Sequence, residues 1–392
     1  MNVLVTNAKQ RTCLYVTRSL GERGLNVFAG ENAWLHPHFL DPTKLLSFRS
    51  RFCKGFFFYP HPADSHSFIP FMVKLAEHYD ALIPITEDTI VPICKNADKF
   101  NNVLLPQFSD LSIALDKKKV VELCLRLGIP VPQTFFPNNQ TALKKLAEKL
   151  SYPVIVKWRR ESIGYPRYRI AYSKKDLLRN YEAMCEKQAT PIVQEKIDGF
   201  GSGFFALFDK NHKLKAYFIH RRIREYPISG GPSACCASFW DEQILRYGLK
   251  LLKALHWVGI GMVEFKFDYK DNIPKVMEIN PRFWGSLPLA ILSGVDFPYL
   301  LFKLIRGEDF SPVLRYRLNI KCRLTNDFRA LLETLRKSKN KYATVKTIVS
   351  SLPIRYADFS RKDLLTSVMM TKLMFKPMLK SIIKVPRKIV KI

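Results

Sequence analysis

Two stretches decide the reading: Gly261-Met-Val-Glu-Phe-Lys-Phe-Asp268 and, after a short turn, Pro274-Lys-Val-Met-Glu-Ile-Asn-Pro-Arg282. Both alternate with period two, the mark of a strand with one apolar and one polar face. On the first, Glu264, Lys266 and Asp268 share a face opposite Val263, Phe265 and Phe267. On the second, Glu278, Asn280 and Arg282 lie opposite Met277 and Ile279. A hairpin turning about Asp271 pairs Glu264 with Glu278. Carboxylates directly across a strand pair repel, and a purely structural sheet avoids them. A divalent cation between them removes the conflict. Two carboxylates with an Asn carbonyl suit Mg²⁺ shared with nucleotide phosphates, and Arg282 can hold a phosphoryl group or carboxylate in a fork. A solvated polar face with Lys266 offsetting the charge is the alternative.

Working outward, residues 1–100 alternate strand and helix signals. Val3–Thr6 reads as a buried strand, 12–23 as a helix ending near Gly24, and Val27–Gly30 and Tyr79–Ile85 as further strands. Such alternation predicts a parallel sheet in an α/β domain, with ligands gathering beyond the carboxyl ends of its strands. Glu87 and Asp88 fall there, either to meet a ligand or to cap the next helix. The first loop, Thr6-Asn-Ala-Lys-Gln-Arg11, lacks G-x-G-x-x-G, which argues against a dinucleotide site. A helix with Val120, Val121, Leu123 and Leu127 stops at Gly128. A second, near 140–150, precedes Ser151-Tyr-Pro-Val-Ile-Val-Lys157, a strand ending on a lysine that can meet a phosphate or simply solubilise an edge. Thr190–Ile197 is another strand. Asp198-Gly-Phe-Gly-Ser-Gly203 reads as a break that either cradles a phosphate or turns flexibly. Strands 204–209 and 214–222 and an amphipathic helix over 241–256 follow.

Together these landmarks resemble the ATP-grasp superfamily over roughly residues 1–310. The metal motif of that family, an E followed by E-x-N-x-R, matches Glu264 and Glu278-Ile-Asn-Pro-Arg282. Its two phosphate lysines match Lys117, within Asp116-Lys-Lys-Lys119, and Lys157. Its adenine clamp matches Gln194-Glu195-Lys196-Ile197. Phe283-Trp-Gly-Ser286 and His220-Arg-Arg-Ile-Arg-Glu-Tyr-Pro227, with Gly230-Gly231, are similar to the carboxylate–amine ligase, carbamoyl-phosphate-synthase-like branch. The resemblance implies an α/β protein, α+β in its ATP-binding part. A Rossmann-like domain (1–110) would precede a small lid subdomain (111–190), a core with the metal-binding hairpin (191–310) and a basic helical extension (311–392). It implies ATP and Mg²⁺ (or Mn²⁺) as cofactors, with Glu264, Glu278 and Asn280 on the metal. Lys117, Lys157 and residues 194–197 would hold the nucleotide, with Arg282 and Arg222 at the reacting groups. Arg221, Arg222 or Arg224, with the Gly230-Gly231 turn, would take the carboxylate or γ-phosphate. The expected reaction joins a small-molecule carboxylate, activated as an acyl phosphate, to an amine. One departure stands out. The glycine-rich phosphate loop is replaced by Trp158-Arg-Arg-Glu-Ser-Ile-Gly-Tyr-Pro-Arg-Tyr-Arg169, where either arginines such as Arg159 or Arg160 substitute for backbone N–H groups or the loop serves a different ligand.

Composition sets the remaining bounds. The chain has 392 residues, 63 Lys and Arg against 34 Asp and Glu, 47% hydrophobic and 12% aromatic residues. A disordered basic protein would be poorer in aromatics. Residues 311–392 hold 20 basic and 4 acidic side chains, a net of +16, leaving +13 for the first 310. No helix–turn–helix, zinc-finger or RNP-like cue accompanies the charge, so nucleic acid is disfavoured. A non-catalytic nucleotide- or nucleic-acid-binding protein on the same scaffold is the alternative function. Residues 328–338 and 362–392 interleave apolar and basic residues at helical spacing, among them Leu364, Leu365, Val368, Met369, Leu373 and Met374 with Lys372, Lys376, Lys380 and Lys384. That pattern fits a helix on an anionic membrane surface or one packed on the body. Eight scattered cysteines without C-x-x-C, and an N-terminal apolar run too short for a signal peptide, predict a cytoplasmic protein. Phe283–Ile305 is interrupted by Pro288, Asp296, Pro298 and Lys303 and reads as a buried helix pair rather than a membrane span.

Overall fold

The computed structural model describes residues 1–32, 45–160, 168–185, 191–338, 340–351 and 354–372. Buried runs form the parallel sheet that the alternation predicts. Strands β1 (Asn2–Val5), β2 (Asn26–Asn32), β3 (Cys53–Tyr59) and β4 (Ala81–Ile83) lie in the order β3-β2-β1-β4. Helices α1 (Arg11–Glu22), α2 (Ser65–Ala76), α3 (Glu87–Lys95) and α4 (Phe108–Ala114) flank it. The smaller unit begins with α5 (Lys117–Arg126) and comprises β5 (Thr134–Phe135), α6 (Gln140–Lys149), β6 (Val154–Trp158), β7 (Tyr168–Ala171), α7 (Lys174–Cys185) and β8 (Pro191–Glu195). Its antiparallel sheet runs β5-β8-β6-β7, so it extends past residue 190 to take in β8.

The large sheet is built from β9 (Gly199–Phe208), β10 (Leu214–Glu225), β11 (Ser233–Ser238), β12 (Gly259–Asp268) and β13 (Ile273–Asn280), with α8 (Glu242–Ala254) on one face. Helices α9 (Leu287–Ser293) and α10 (Phe297–Ile305) cover the other. Period-two alternation divides β9 cleanly. Phe204, Ala206 and Phe208 pack with α4, α5 and α8, whereas Phe205 and Leu207 join Val5, Ile83, Trp284 and Phe297 in the core shared with the first domain. Helices α9 and α10 meet at 89° within that core, and among the described residues no single helix is long and apolar enough to cross a membrane. The expected break at 198–203 is absent. Those glycines belong to β9, paired with β12 from Gly199 onward.

The extension is part of the body. Strand β14 (Lys321–Arg323) pairs with β11 and completes the order β13-β12-β9-β10-β11-β14. Helices α11 (Asp327–Lys337) and α12 (Lys341–Ser351) follow, and a further helix occupies 364–372. The part of the expected tail helix containing Leu373, Met374, Lys376, Lys380 and Lys384 lies outside the described residues. Three buried aspartates fasten the extension. Asp327 takes Arg224 in a fork, Nε–Oδ1 2.6 Å and Nη2–Oδ2 3.0 Å, and Arg323 Nε at 2.5 Å. Asp358 accepts the Tyr15 hydroxyl and both the Thr325 amide and hydroxyl. Asp363 accepts Arg18 Nε at 2.8 Å, Ser50 Oγ at 2.9 Å and the Arg51 amide at 3.1 Å.

Burial alone would raise the Asp363 pKa, but the hydrogen bonds from Thr366, Arg18 and Ser50 bring it below the ordinary carboxylate value. A depressed pKa contributes stability above the unfolded value and loses it as pH falls. Asp363→Ala leaves Arg18 buried without its carboxylate. It should cost about 3–5 kcal/mol in urea unfolding at neutral pH, with the gap to wild type closing below about pH 4. An unchanged midpoint would contradict the clasp.

Candidate active site

The hairpin forms as its alternation requires. Glu264 pairs with Glu278 and Met262 with Asn280. A bulge next to the glutamates, where Phe265 opposes Val276, leaves Met277 as the extra residue; bulges of this kind re-aim side chains beside sites. Each carboxylate meets its own cation from a different element. Lys117 Nζ lies 3.0 Å from Glu278 Oε2, and Arg222 Nη2 lies 2.9 Å from Glu264 Oε2. The charge conflict inferred from the sequence is thus already answered in part by protein cations.

Both cations are held in place. Lys117 opens α5, whose N-cap Asp116 is fully buried and accepts the Lys118 amide at 3.0 Å. Arg159 forks onto Asp116 with two 2.7 Å bonds, and its carbonyl accepts the Lys117 amide at 3.0 Å. Arg160 reaches the same carboxylate at 3.5 Å. The two arginines expected at the phosphates are therefore committed to the helix start that presents Lys117; residues 161–167 of the loop lie outside the described residues. Arg222 is braced by Glu225 Oε1 at 3.2 Å and donates to the Gly231 carbonyl at 3.1 Å. It packs against Gly201 of β9, where a side chain would collide with it, while Gly203 leaves room for Phe205 and His220. A Cβ on Gly201 would sit 2.7 Å from Arg222 Cδ and 2.6 Å from Glu225 Oε1, and one on Gly203 would sit 2.6 Å from the Phe205 ring.

The carboxylate pair divides electrostatically. Burial favours neutral Glu278, but Lys117 and Lys157 overrule it and bring its pKa down to about 2. Glu264 is raised, because burial and the Glu278 charge outweigh Arg222. Lys157, at the end of β6, is pushed down to about 8 by burial and then by Lys117, with Glu278 and Glu264 opposing. His220 is buried with Nδ1 3.1 Å from Ser286 Oγ, and burial followed by Arg222 pushes it well below its ordinary value. It is neutral at pH 7.

The remaining expected residues separate into those inside and outside this cluster. Asn280 donates to Glu278 Oε1 at 3.3 Å, and its Oδ1 accepts Arg282 Nη2 at 3.1 Å. Arg282 Nε meets Glu87 Oε1 at 3.2 Å, which ties the hairpin exit to the first domain. Asp88 works locally, accepting the Thr89 amide at 2.9 Å and Asn7 Nδ2 at 3.2 Å. Arg221 lies over the Phe239 ring and Arg224 is forked onto Asp327, so neither joins the cluster. Gln194 is buried with Nε2 donating to Thr134 Oγ1 at 2.8 Å. Glu195 exchanges backbone and side-chain bonds with Gln133, and Lys196 and Ile197 connect β8 to β9. The Tyr168 hydroxyl donates to the Gly230 carbonyl at 2.8 Å, joining the small sheet to the Gly230-Gly231 turn. Sequence reasoning missed Glu225, the Asp116–Arg159 fork, Tyr168 and the role of Gly201 and Gly203. A run of glycines on one face of a strand, opposite arginines on the next, is the signal that was available for the last. Among the described residues no three His, Cys, Asp or Glu side chains cluster in a metal-holding arrangement, so any metal here rests on Glu264 and Glu278 with an amide oxygen.

Residues 240–333, which contain the hairpin, match a family model described as ATP-grasp in the biosynthetic pathway with Ter operon. A carbamoyl phosphate synthase large chain of Archaeoglobus fulgidus is 28% identical over 223 residues, 54% of this chain and 20% of that protein. The C-terminal section of the same large chain from Methanopyrus kandleri is 25% identical over 230 residues, 56% of this chain and 42% of that protein. The chain thus spans less than half the length of these curated relatives. Among solved structures, the biotin carboxylase domain of Hydrogenobacter thermophilus 2-oxoglutarate carboxylase aligns with a TM-score of 0.65 at 19% identity, covering 82% of this chain and 73% of that one. N5-carboxyaminoimidazole synthetase from Staphylococcus aureus aligns with a TM-score of 0.63 at 15% identity, covering 86% of each. The order of the three sheets, the opposed glutamates and these likenesses agree: residues 240–333 match an ATP-grasp model, and the chain shares its fold with these solved structures.

Proposed function

We propose that this protein is an ATP- and Mg²⁺-dependent ligase that activates a carboxylate as an acyl phosphate for attack by an amine or similar nucleophile. The reading is carried by the convergence of Lys117, Lys157 and Arg222 on the opposed Glu264–Glu278 pair at the junction of the small and large sheets. Carbamoyl phosphate synthases and carboxyaminoimidazole synthetase are among the proteins it resembles, and the 2-oxoglutarate carboxylase domain was solved with MgADP and bicarbonate. These support ATP and Mg²⁺ as the cofactors.

The donor set fits a hard divalent cation, since Glu264 and Glu278 present opposed carboxylate oxygens. Asn280 joins them on exchanging its Arg282 contact. Glu264 and Glu278 would hold the ion, which would supply neutralisation of charge on the triphosphate. The chain's own residues supply position and field. Lys117 and Lys157 hold the phosphates, with residues 194–197 at the base. Arg222, braced by Glu225, orients the carboxylate toward the γ-phosphorus. Arg282, anchored on Glu87, faces the transferring group. The carboxylate oxygen forms the new P–O bond as the bond to ADP breaks, and the amine then displaces phosphate from the acyl carbon. Charge placement and exclusion of water carry such a step, which agrees with the absence of a nucleophilic triad in the sequence.

Glu278→Gln should lower carboxylate-dependent ADP formation at least about a thousandfold, ~4 kcal/mol of transition-state stabilisation, with an unchanged circular dichroism spectrum. Unchanged Mg²⁺-dependent ADP release in that variant would remove the metal assignment. A panel of carboxylic acids and amines, scored for ADP release, identifies the substrates; silence for every pair would favour a non-catalytic nucleotide binder.

Lys157 gives a pH dependence. The lysine binds phosphate while protonated, so ATP affinity should fall as pH rises through about 8. Its folded value lies below the unfolded value of about 10.4, so the unfolded chain holds the extra proton between the two and stability rises across that window. Lys157→Met should bind ATP weakly and without this step. Calorimetric titrations showing the same step in both proteins would contradict the assignment.

A further inference from the structure

Among its described residues the extension buries three of its four acids and exposes most of its cations. Of the four carboxylates in residues 311–392, Asp327, Asp358 and Asp363 are only 0, 4 and 1% exposed, each committed to the buried partners already described. The fourth, Glu333, lies 2.6 Å from Lys337 Nζ. Arg355, Arg361, Lys362 and Lys372 are exposed. Among the described residues the exposed cations of the segment thus outnumber its exposed acids, and only Lys362 meets an acid from the body, Glu22 Oε2 at 3.0 Å.

Its apolar side chains face outward as well. In helix 364–372, Thr366, Ser367 and Met370 are buried while Leu364, Leu365 and Val368 are 58, 56 and 48% exposed. Helix α12 repeats the inversion, burying Thr344 and exposing Tyr342, Val345 and Val349. A surface helix of a globular protein ordinarily turns its apolar stripe to the core, and contiguous exposed apolar side chains mark an interaction face.

We propose that this face docks on the surface of an anionic lipid bilayer. Leu364, Leu365 and Val368 enter the boundary between headgroups and acyl chains, and Arg361 and Lys372 meet lipid phosphates and carboxylates, joined by Lys362 on exchanging its Glu22 contact. Both contributions add, apolar burial per methylene and attraction per cation. Nucleic acid would use the same cations, but it stacks its bases on aromatic rings, and the side chains turned out here on helix 364–372 are aliphatic. Residues 373–392 continue the charge with six more cations and no acid. Docking is independent of the ATP chemistry, so the test needs no substrate.

Full-length protein is sedimented with vesicles of phosphatidylcholine containing about one-third phosphatidylserine, and with phosphatidylcholine alone. The expected result is binding to the mixed vesicles that weakens with added salt. The triple variant Leu364→Ser, Leu365→Ser, Val368→Ser should partition about tenfold less with an unchanged melting temperature. Equal partitioning of variant and wild type, or equal binding to both vesicle types, overturns the proposal. Wild-type protein that ignores both vesicles yet retards an oligonucleotide also overturns it and assigns the cations to nucleic acid.

Discussion

The structure turns on two carboxylates, Glu264 and Glu278, set opposite each other on adjacent strands. Like charges about 4 Å apart repel by about 4 kcal/mol at the effective dielectric near a protein surface, a large fraction of the stability of an ordinary domain. The fold answers with cations delivered from separate units. Lys117 comes from the helix that opens the small unit, and Arg222 comes from the next strand but one of the large sheet. The surrounding details follow from that requirement. Asp116 and Arg159 fix the helix end that carries Lys117. Gly201 clears the space that Arg222 and Glu225 fill. Glu87 and Arg282 tie the exit of the hairpin to the first domain.

The environment then differentiates the pair. Lys117 and Lys157 hold Glu278 ionised far below neutral pH, while burial and its neighbour raise Glu264. Burial, followed by the neighbouring Lys117 charge, pushes Lys157 down to about 8. On the proposed function, a triphosphate would add negative charge beside this lysine pair. The site is organised to receive anions.

Much of this was legible in the sequence, for a local reason. Period-two alternation on 261–268 and 274–282 fixes faces, and a tight turn fixes register, so the Glu264–Glu278 pairing needed no long-range information. The parallel sheet announced itself through short apolar runs. Strand β3 did not, because Phe56, Phe57 and Phe58 run without alternation. The glycines at 199, 201 and 203 read as a break, since a strand interior seldom carries them; the Phe267 carbonyl, Arg222 with Glu225, and Phe205 with His220 take the space that their side chains would fill. The partners of the arginines were not legible. Arg224 finds Asp327, Arg159 finds Asp116 and Arg282 finds Glu87, and sequence spacing carries no signal for pairs 43 to 195 residues apart. The same applies to the tail. Its charge count was plain, but that its aspartates clasp Arg18, Tyr15 and Arg224 emerges only in three dimensions.

The extension is thereby joined to the catalytic body: Arg224 lies two residues beyond Arg222 on β10 and is fastened to Asp327. The central claim remains the chemistry at the opposed glutamates, and hydroxylamine trapping tests it most directly. With MgATP, an accepted carboxylic acid and hydroxylamine, the account predicts equal amounts of ADP and acyl hydroxamate, both absent without the acid. ADP formed without any hydroxamate, or formed equally without the acid, would contradict an acyl phosphate at this site.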